Sequence, residues 1–167
     1  ILPLDDVLEE IQAQGEAYLT AQGFVNYEVS AWRKEKPSAH NLNYWQFGDY
    51  LAIGAGAHGK VTQPDGVYRF QKTRLPKDYL AKVPAENLQF KRIEADDMPF
   101  EFMMNALRLN QGVDAKLYAE RTGLSLAGLD EILSSLRARK LMVDDQTRIS
   151  CTEQGHVFLN SVLEEFL

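Results

Sequence analysis

The sequence predicts two parts: an α/β segment with a hairpin over residues 1–95, then a helical, winged-helix-like domain over residues 96–167. Three observations predict it. Near the N-terminus a helical apolar stripe runs through one glycine into a β-rich stretch. Further on, Pro64-Asp65-Gly66 separates two β-rich arms, the signature of a hairpin. After Asp96-Asp97 the pattern turns helical and closes in the order helix, turn, helix, two short arms, helix.

The elements follow in order. Val7, Leu8, Ile11, Tyr18 and Leu19 fall on one helical face, and Gly23 supplies the stop. Residues 24–30 are rich in β-formers and read as a strand. A helix joined to a strand by one glycine is half of an α/β repeat, so a parallel sheet is expected. Residues 32–40 read as a polar loop, and 49–53 as a short strand entering a glycine-rich turn. The hairpin arms are 59–62 and 67–73, and 87–93 forms a further strand.

Asp97 is a suitable N-cap, and Pro99 suits a first helical turn. Phe100, Met103, Met104 and Leu107 make one stripe of the helix that follows. Phe102, Ala106 and Leu109 make another. A helix apolar most of the way round belongs at the centre of a core. A short helix over 114–121 stops at Gly123, and the next starts at Ser125 with Leu129, Ile132, Leu133 and Leu136 inward. Arms at 141–143 and 148–151 flank Asp144-Asp145-Gln146-Thr147. The last helix carries Phe158, Leu159, Val162, Leu163 and Phe166 on one stripe.

Composition narrows the function. Of 167 residues, 45% are hydrophobic and 25% charged, which favours a packed core over disorder. The net charge is −6, and residues 99–167 carry seven Lys/Arg against ten Asp/Glu. Phosphate neutralisation needs the opposite balance, so the winged-helix-like part reads as a packing module, with no nucleic acid as partner. Cys151 is the only cysteine, which excludes an internal disulfide and a thiolate-held iron–sulfur cluster. A reduced, cytoplasmic setting follows. The first residues lack a basic signal-peptide region, and no apolar run reaches the ~20 residues of a membrane span. The expectation is a soluble fragment whose N-terminal partner lies outside this sequence.

Two segments could carry chemistry. His40-Asn41-Leu42-Asn43-Tyr44-Trp45 gathers a His, two Asn and two adjacent aromatics. It reads either as a loop-to-helix junction, with Asn41 capping and Tyr44 and Trp45 packing, or as a heme or porphyrin contact. Imidazole is a standard axial donor to heme iron, and flat rings suit a flat macrocycle. The second segment, Gly54-Ala55-Gly56-Ala57-His58-Gly59, matches G-x-G-x-x-G, but a dinucleotide site needs that turn to open a helix. Residues 60–66 read as strand and turn, so the dinucleotide reading is set aside. Small residues there allow close approach of backbone to backbone, or of backbone to a cofactor. His156 and Cys151 read as structural, and Asp96-Asp97 as a cap rather than a metal site.

Tyr27-Glu28-Val29-Ser30, the His40–Trp45 motif and residues 49–59 occur in this order in the oxygen-independent coproporphyrinogen III oxidase-like radical S-adenosylmethionine proteins, which this chain resembles. The tail resembles that family's C-terminal domain through Pro99-Phe100-Glu101-Phe102-Met103-Met104-Asn105, Gly123-Leu124 and Thr152-Glu153-Gln154-Gly155. The resemblance covers essentially the whole chain. It implies that residues 1–95 are the C-terminal end of an incomplete (β/α) barrel with a hairpin. It also implies an intact protein with a four-iron–four-sulfur cluster and S-adenosylmethionine, neither cluster cysteine nor radical chemistry being supplied by this chain.

For the family's heme-chaperone branch the resemblance implies heme binding by His40, Tyr44 and Trp45, with His40 as the metal ligand, and delivery to a recipient hemoprotein. Gly54, Ala55, Gly56, Ala57 and His58 map onto the segment lining the S-adenosylmethionine site in the true oxidases. Many relatives carry a Cys before the motif His, where this sequence has Ser38. The alternative function is oxidative decarboxylation of the propionates of coproporphyrinogen III. In isolation this chain is expected to hold no iron and to be inactive.

Overall fold

The structure is a computed structural model and describes residues 3–82 and 88–167. Helix α1 spans Asp5–Ala21, with Asp5 and Asp6 in its first turn, where carboxylates complement the helix dipole. Its stripe of Val7, Leu8, Ile11 and Tyr18 is exposed. The face that the periodicity marks for burial is thus uncovered by the described residues.

Strand β1 (Val25–Glu28) does not make the expected parallel pair. It pairs antiparallel with β2 (Ala31–Arg33), through Val25↔Arg33 and Glu28↔Ala31, with a bulge between Asn26 and Glu28. The Asn26 amide donates to the carbonyls of Glu28 and Ala31 and so holds the reversal locally. The 32–40 stretch is correspondingly less of a loop than its polarity suggests. It begins in β2 and ends in helix α2 (Ala39–Trp45).

The 49–53 strand is not formed. Only Tyr50 makes a bridge, to Lys60, while Leu51 and Ile53 are 79% and 92% exposed. The hairpin is formed where Pro64-Asp65-Gly66 marks it. Strand β3 (His58–Gln63) pairs with β4 (Gly66–Lys72), which pairs in turn with β5 (Leu88–Arg92). Asn87, also expected in that last strand, lies outside the described residues. Between β4 and β5 a short helix α3 spans Pro76–Ala81. Gly59 sits opposite Phe70, and a Cβ on Gly59 would stand 2.1 Å from the Phe70 ring. This glycine is therefore fixed by close approach.

Helix α4 (Met98–Ala106) is the centre of the core. Phe102, Met103, Ala106 and Leu107 are fully buried, whereas Met104 faces out. Asp97 occupies the cap position, but its side chain makes no capping bond, contrary to expectation. Helix α5 (Lys116–Thr122) ends at Gly123. A 3₁₀ turn (Leu126–Leu129) capped by Ser125 leads into α6 (Asp130–Ala138). The arms do meet, through a Met142↔Cys151 bridge and a bond from Val143 N–H to the Ser150 carbonyl. The sequence reading missed their third member. Strand β6 (Val113–Asp114) pairs with β7 (Arg148–Ile149).

The final helix is broken at Phe158 into α7 (Glu153–Val157) and α8 (Leu159–Glu164). Val162 and Phe166 are buried, but Phe158 points outward, so that stripe is shorter than the periodicity implies. Tyr118, Leu133, Leu136, Ile149, Val162 and Phe166 close around α4. Phe47, Val67 and Ile93 join the same cluster, so the hairpin part and the helical part share one core.

Cys151 is 4% exposed, and burial pushes its thiol up to about 12. The thiolate is the reactive form, so it is scarce at neutral pH. Alkylation by iodoacetamide at pH 8 should modify Cys151 only after denaturation, as read by mass spectrometry.

Candidate functional site

Helix α2 carries the His-Asn-x-x-Tyr-Trp motif, and its helical spacing separates the motif into two faces. Residues four apart share a face, so His40 lies with Tyr44 and Asn41 with Trp45. The helix starts three residues earlier than the Asn41 cap predicts. Ser38 caps it, its hydroxyl accepting from the Asn41 N–H at 3.3 Å.

The Asn41–Trp45 face is the anchor. Asn41 donates to the Tyr27 hydroxyl of β1 at 2.9 Å. The Arg108 guanidinium lies 4.3 Å from the Trp45 ring centroid, a stacking arrangement worth more when desolvated. Trp45 also packs on the core, and Phe47 just beyond the helix meets Phe102 edge-on at 5.6 Å.

Arg108 has a second task. Glu28 is 1% exposed, and its carboxylate accepts from Arg108 at 3.2 Å and from Ser30 N–H and O–H at 3.1 and 3.0 Å. Two backbone bonds reinforce the seam: Val29 N–H to the Arg108 carbonyl, and Asn110 N–H to the Tyr27 carbonyl. Arg108→Ala would leave the Glu28 carboxylate buried without its cation. The expected loss is about 1–3 kcal/mol, discounted for the partial exposure of Arg108. Urea unfolding monitored by circular dichroism would measure it.

The His40–Tyr44 face is presented outward. The His40 imidazole is exposed and sits edge-on to Tyr44, with ring centroids 4.6 Å apart. Tyr44 packs in turn on Tyr50 at 4.3 Å. The Tyr50 hydroxyl accepts from Arg69, whose guanidinium also grips Glu101 of α4 at 2.9 and 2.5 Å. A chain of contacts thus runs from the helical part to His40.

Next to Tyr50, Asp49 accepts from the buried Lys60 at 2.8 Å and from Thr62 N–H and O–H. Burial opposes its ionisation, but these donors outweigh it and hold its carboxyl below the usual carboxylate range. Lys60 also lies 4.3 Å above the Phe47 ring.

The glycine-rich segment turns rather than opening a helix, in keeping with the rejected dinucleotide reading. Gly54 and Gly56 have positive φ, and His58 begins β3. Gly56 N–H bonds the Thr73 carbonyl, and Lys72 N–H bonds the Ala57 carbonyl, so the turn is laid against the end of β4. A cleft of about 410 Å³ beside it includes Gly56 and His58. A separate cleft of about 270 Å³ runs between β1, α2 and residues 109–112, with Leu42 and Gln46 in its wall. It lies on the side of α2 opposite to His40 by helical spacing. His156 is half-buried with both ring nitrogens unbonded, and burial lowers its pKa, which fits a structural role. Among the described residues no three His, Cys, Asp or Glu side chains cluster as a metal site, and no helix is long and apolar enough to cross a membrane.

Comparison with known proteins bears on this arrangement. The HemN C-terminal domain family matches residues 93–158. The chain is 44% identical over 169 residues to the protein named heme chaperone HemW in Haemophilus influenzae, covering 99% of this chain and 43% of that protein. For the Escherichia coli heme chaperone HemW the identity is 43% over 170 residues, covering 100% and 44%. The chain belongs to the HemW-type family. It spans less than half the length of the curated relatives it matches.

The likeness to HemW-type proteins extends to Bacillus subtilis, at 30% identity over 154 residues, 89% of this chain and 40% of that protein. The solved structure of coproporphyrinogen III oxidase (HemN) from Escherichia coli, a radical SAM enzyme, superposes with a TM-score of 0.69. It shares 17% identity and covers 99% of this chain and 42% of that one. That likeness gives the fold: a partial, open (β/α)-barrel-like region followed by helical segments.

Sequence reasoning named His40, Tyr44 and Trp45 but missed Arg108, Glu28, Tyr50 and Arg69. One signal was available. Glu28 stands inside a β-rich stretch, and a carboxylate buried there requires a cation from elsewhere in the chain.

Proposed function

We propose that this chain is the C-terminal part of a cytoplasmic radical S-adenosylmethionine protein that binds heme and delivers it to a recipient hemoprotein. The observation that carries the reading is the outward face of α2. His40 offers an imidazole whose nitrogens make no hydrogen bond among the described residues, on a helix anchored from behind. Heme iron needs such an axial donor. His40 is the ligand in this reading, Tyr44 lies beside the macrocycle, and Trp45 contributes by fixing the helix against Arg108. The names borne by the relatives support it.

In the same reading residues 1–95 belong to the barrel and residues 96–167 form a winged-helix-like domain. The exposed apolar face of α1, with Leu51 and Ile53, is covered by the N-terminal barrel half. That half holds a four-iron–four-sulfur cluster, for which the lone, buried Cys151 is no donor set. Residues Gly54–His58 line the S-adenosylmethionine pocket.

The fold likeness to HemN favours a second reading, decarboxylation of coproporphyrinogen III. One pair of assays on full-length protein separates the two. Transfer of bound heme to an apo-hemoprotein, with no conversion of coproporphyrinogen III, is the expected result. Formation of decarboxylated porphyrinogen without heme transfer would replace the first reading with the second.

A further inference from the structure

The cleft at the open end of the β3–β4 hairpin stands out on a chain of net charge −6. Its wall includes His58, Lys72, Arg74 and Lys82 and, among the described residues, no carboxylate. The His58 and Arg74 side chains make no hydrogen bond or ion pair among the described residues. Among the described residues the Lys72 ammonium meets only the Phe70 ring, at 5.9 Å. Lys82 reaches the Thr73 hydroxyl at 3.4 Å. Clustered like charges repel one another and raise the free energy of the unliganded state, and an anion removes that repulsion.

The backbone brings these groups together. Gly54 and Gly56 turn the chain back on Thr73, while the register sets His58 across from Gln71. The position of the cleft narrows the kind of anion. It shares His58 with an adjoining cleft of about 380 Å³ walled partly by Phe70 and Phe90, and Phe90 is exposed. Cations beside an aromatic-walled hollow suit a carboxylate attached to a flat, apolar body.

We propose that His58, Lys72 and Arg74 form a carboxylate seat, which takes the propionate end of the porphyrin while the adjoining aromatic cleft receives the apolar edge of the ring. The identity of the ligand rests on the heme reading; the seat itself rests on the cluster of cations. The amino-acid carboxylate of S-adenosylmethionine, whose pocket Gly54–His58 border in the proposed reading, presents the same chemistry at the shared His58, and the experiment separates the two sources.

Full-length protein and the double variant Lys72→Gln/Arg74→Gln are titrated with heme, with heme dimethyl ester and with S-adenosylmethionine. Circular dichroism confirms the fold. The expected result is a fall of roughly tenfold or more in heme affinity, with affinity for the ester unchanged. The difference should shrink at high ionic strength, because exposed charges are screened. A fall for S-adenosylmethionine alone keeps the seat and assigns it to that carboxylate. Equal falls for heme and its ester, or no change for any of the three, overturn the proposal. His40→Ala reports separately on the axial ligand. Heme binding that survives His40→Ala but fails in the double variant would remove the His40 reading and leave the seat standing.

Discussion

His40→Ala in full-length protein is expected to abolish the Soret change on heme titration, while His58→Ala weakens heme affinity but keeps the Soret change at saturating heme. The chain has three histidines. His156 is half-buried in α7, with both ring nitrogens shut off from solvent. His58 is exposed at the start of β3, among cations. His40 alone stands on a helix whose other face is bonded to Tyr27 and stacked under Arg108, with an aromatic ring directly beside it. Loss of a group that only supports a metal ligand commonly costs about 10–100-fold in affinity. Loss of the axial donor itself should cost more. Unchanged affinity and spectrum in a folded His40→Ala protein would move the ligand to another part of the molecule.

Phe102→Ala is expected to be the most damaging single truncation. Phe102 has no exposed surface, and its ring meets Phe47 at 5.6 Å and Tyr118 at 5.1 Å, both edge-on. Buried Phe-to-Ala changes cost about 3–5 kcal/mol, the transfer and cavity contributions together. Aromatic pairs add about 0.5–1.5 kcal/mol beyond area. Such a loss is a large share of the 5–15 kcal/mol that holds a typical domain folded. Chemical denaturation of the variant should show a much lower midpoint. A loss under about 1 kcal/mol would mean that α4 is not the centre of the core.

What the sequence made legible was local. Pro64-Asp65-Gly66 specifies a reversal from three neighbouring residues, and the hairpin lies there. The stripes on α4 mark a helix apolar on most sides, and it is the core helix. Pairing direction was not legible, because β1 chooses its partner across a two-residue reversal held by the Asn26 amide. Nor was the failure of 49–53 to become a strand. Its β-formers are real, but only Tyr50 finds a bridging partner among the described residues. Ser38 was overlooked because Asn41 is an equally good capping type by composition. Arg108 was invisible because a basic residue after a helix is also what the dipole favours, and nothing local distinguishes that from a cation reserved for Glu28.

The anchoring of α2 has a consequence for how the site comes and goes. Phe47, immediately after the helix, belongs to the same buried cluster as Phe102, Leu136 and Val162. A seven-residue helix has little stability of its own. The surface that presents His40 is therefore not a hinged appendage with its own melting behaviour. It exists when the C-terminal helices are assembled and vanishes when they are not, so ligand readiness and integrity of the tail are one cooperative transition. Amide hydrogen exchange should show this directly, with the protected α2 amides opening at the same free energy as those of α4.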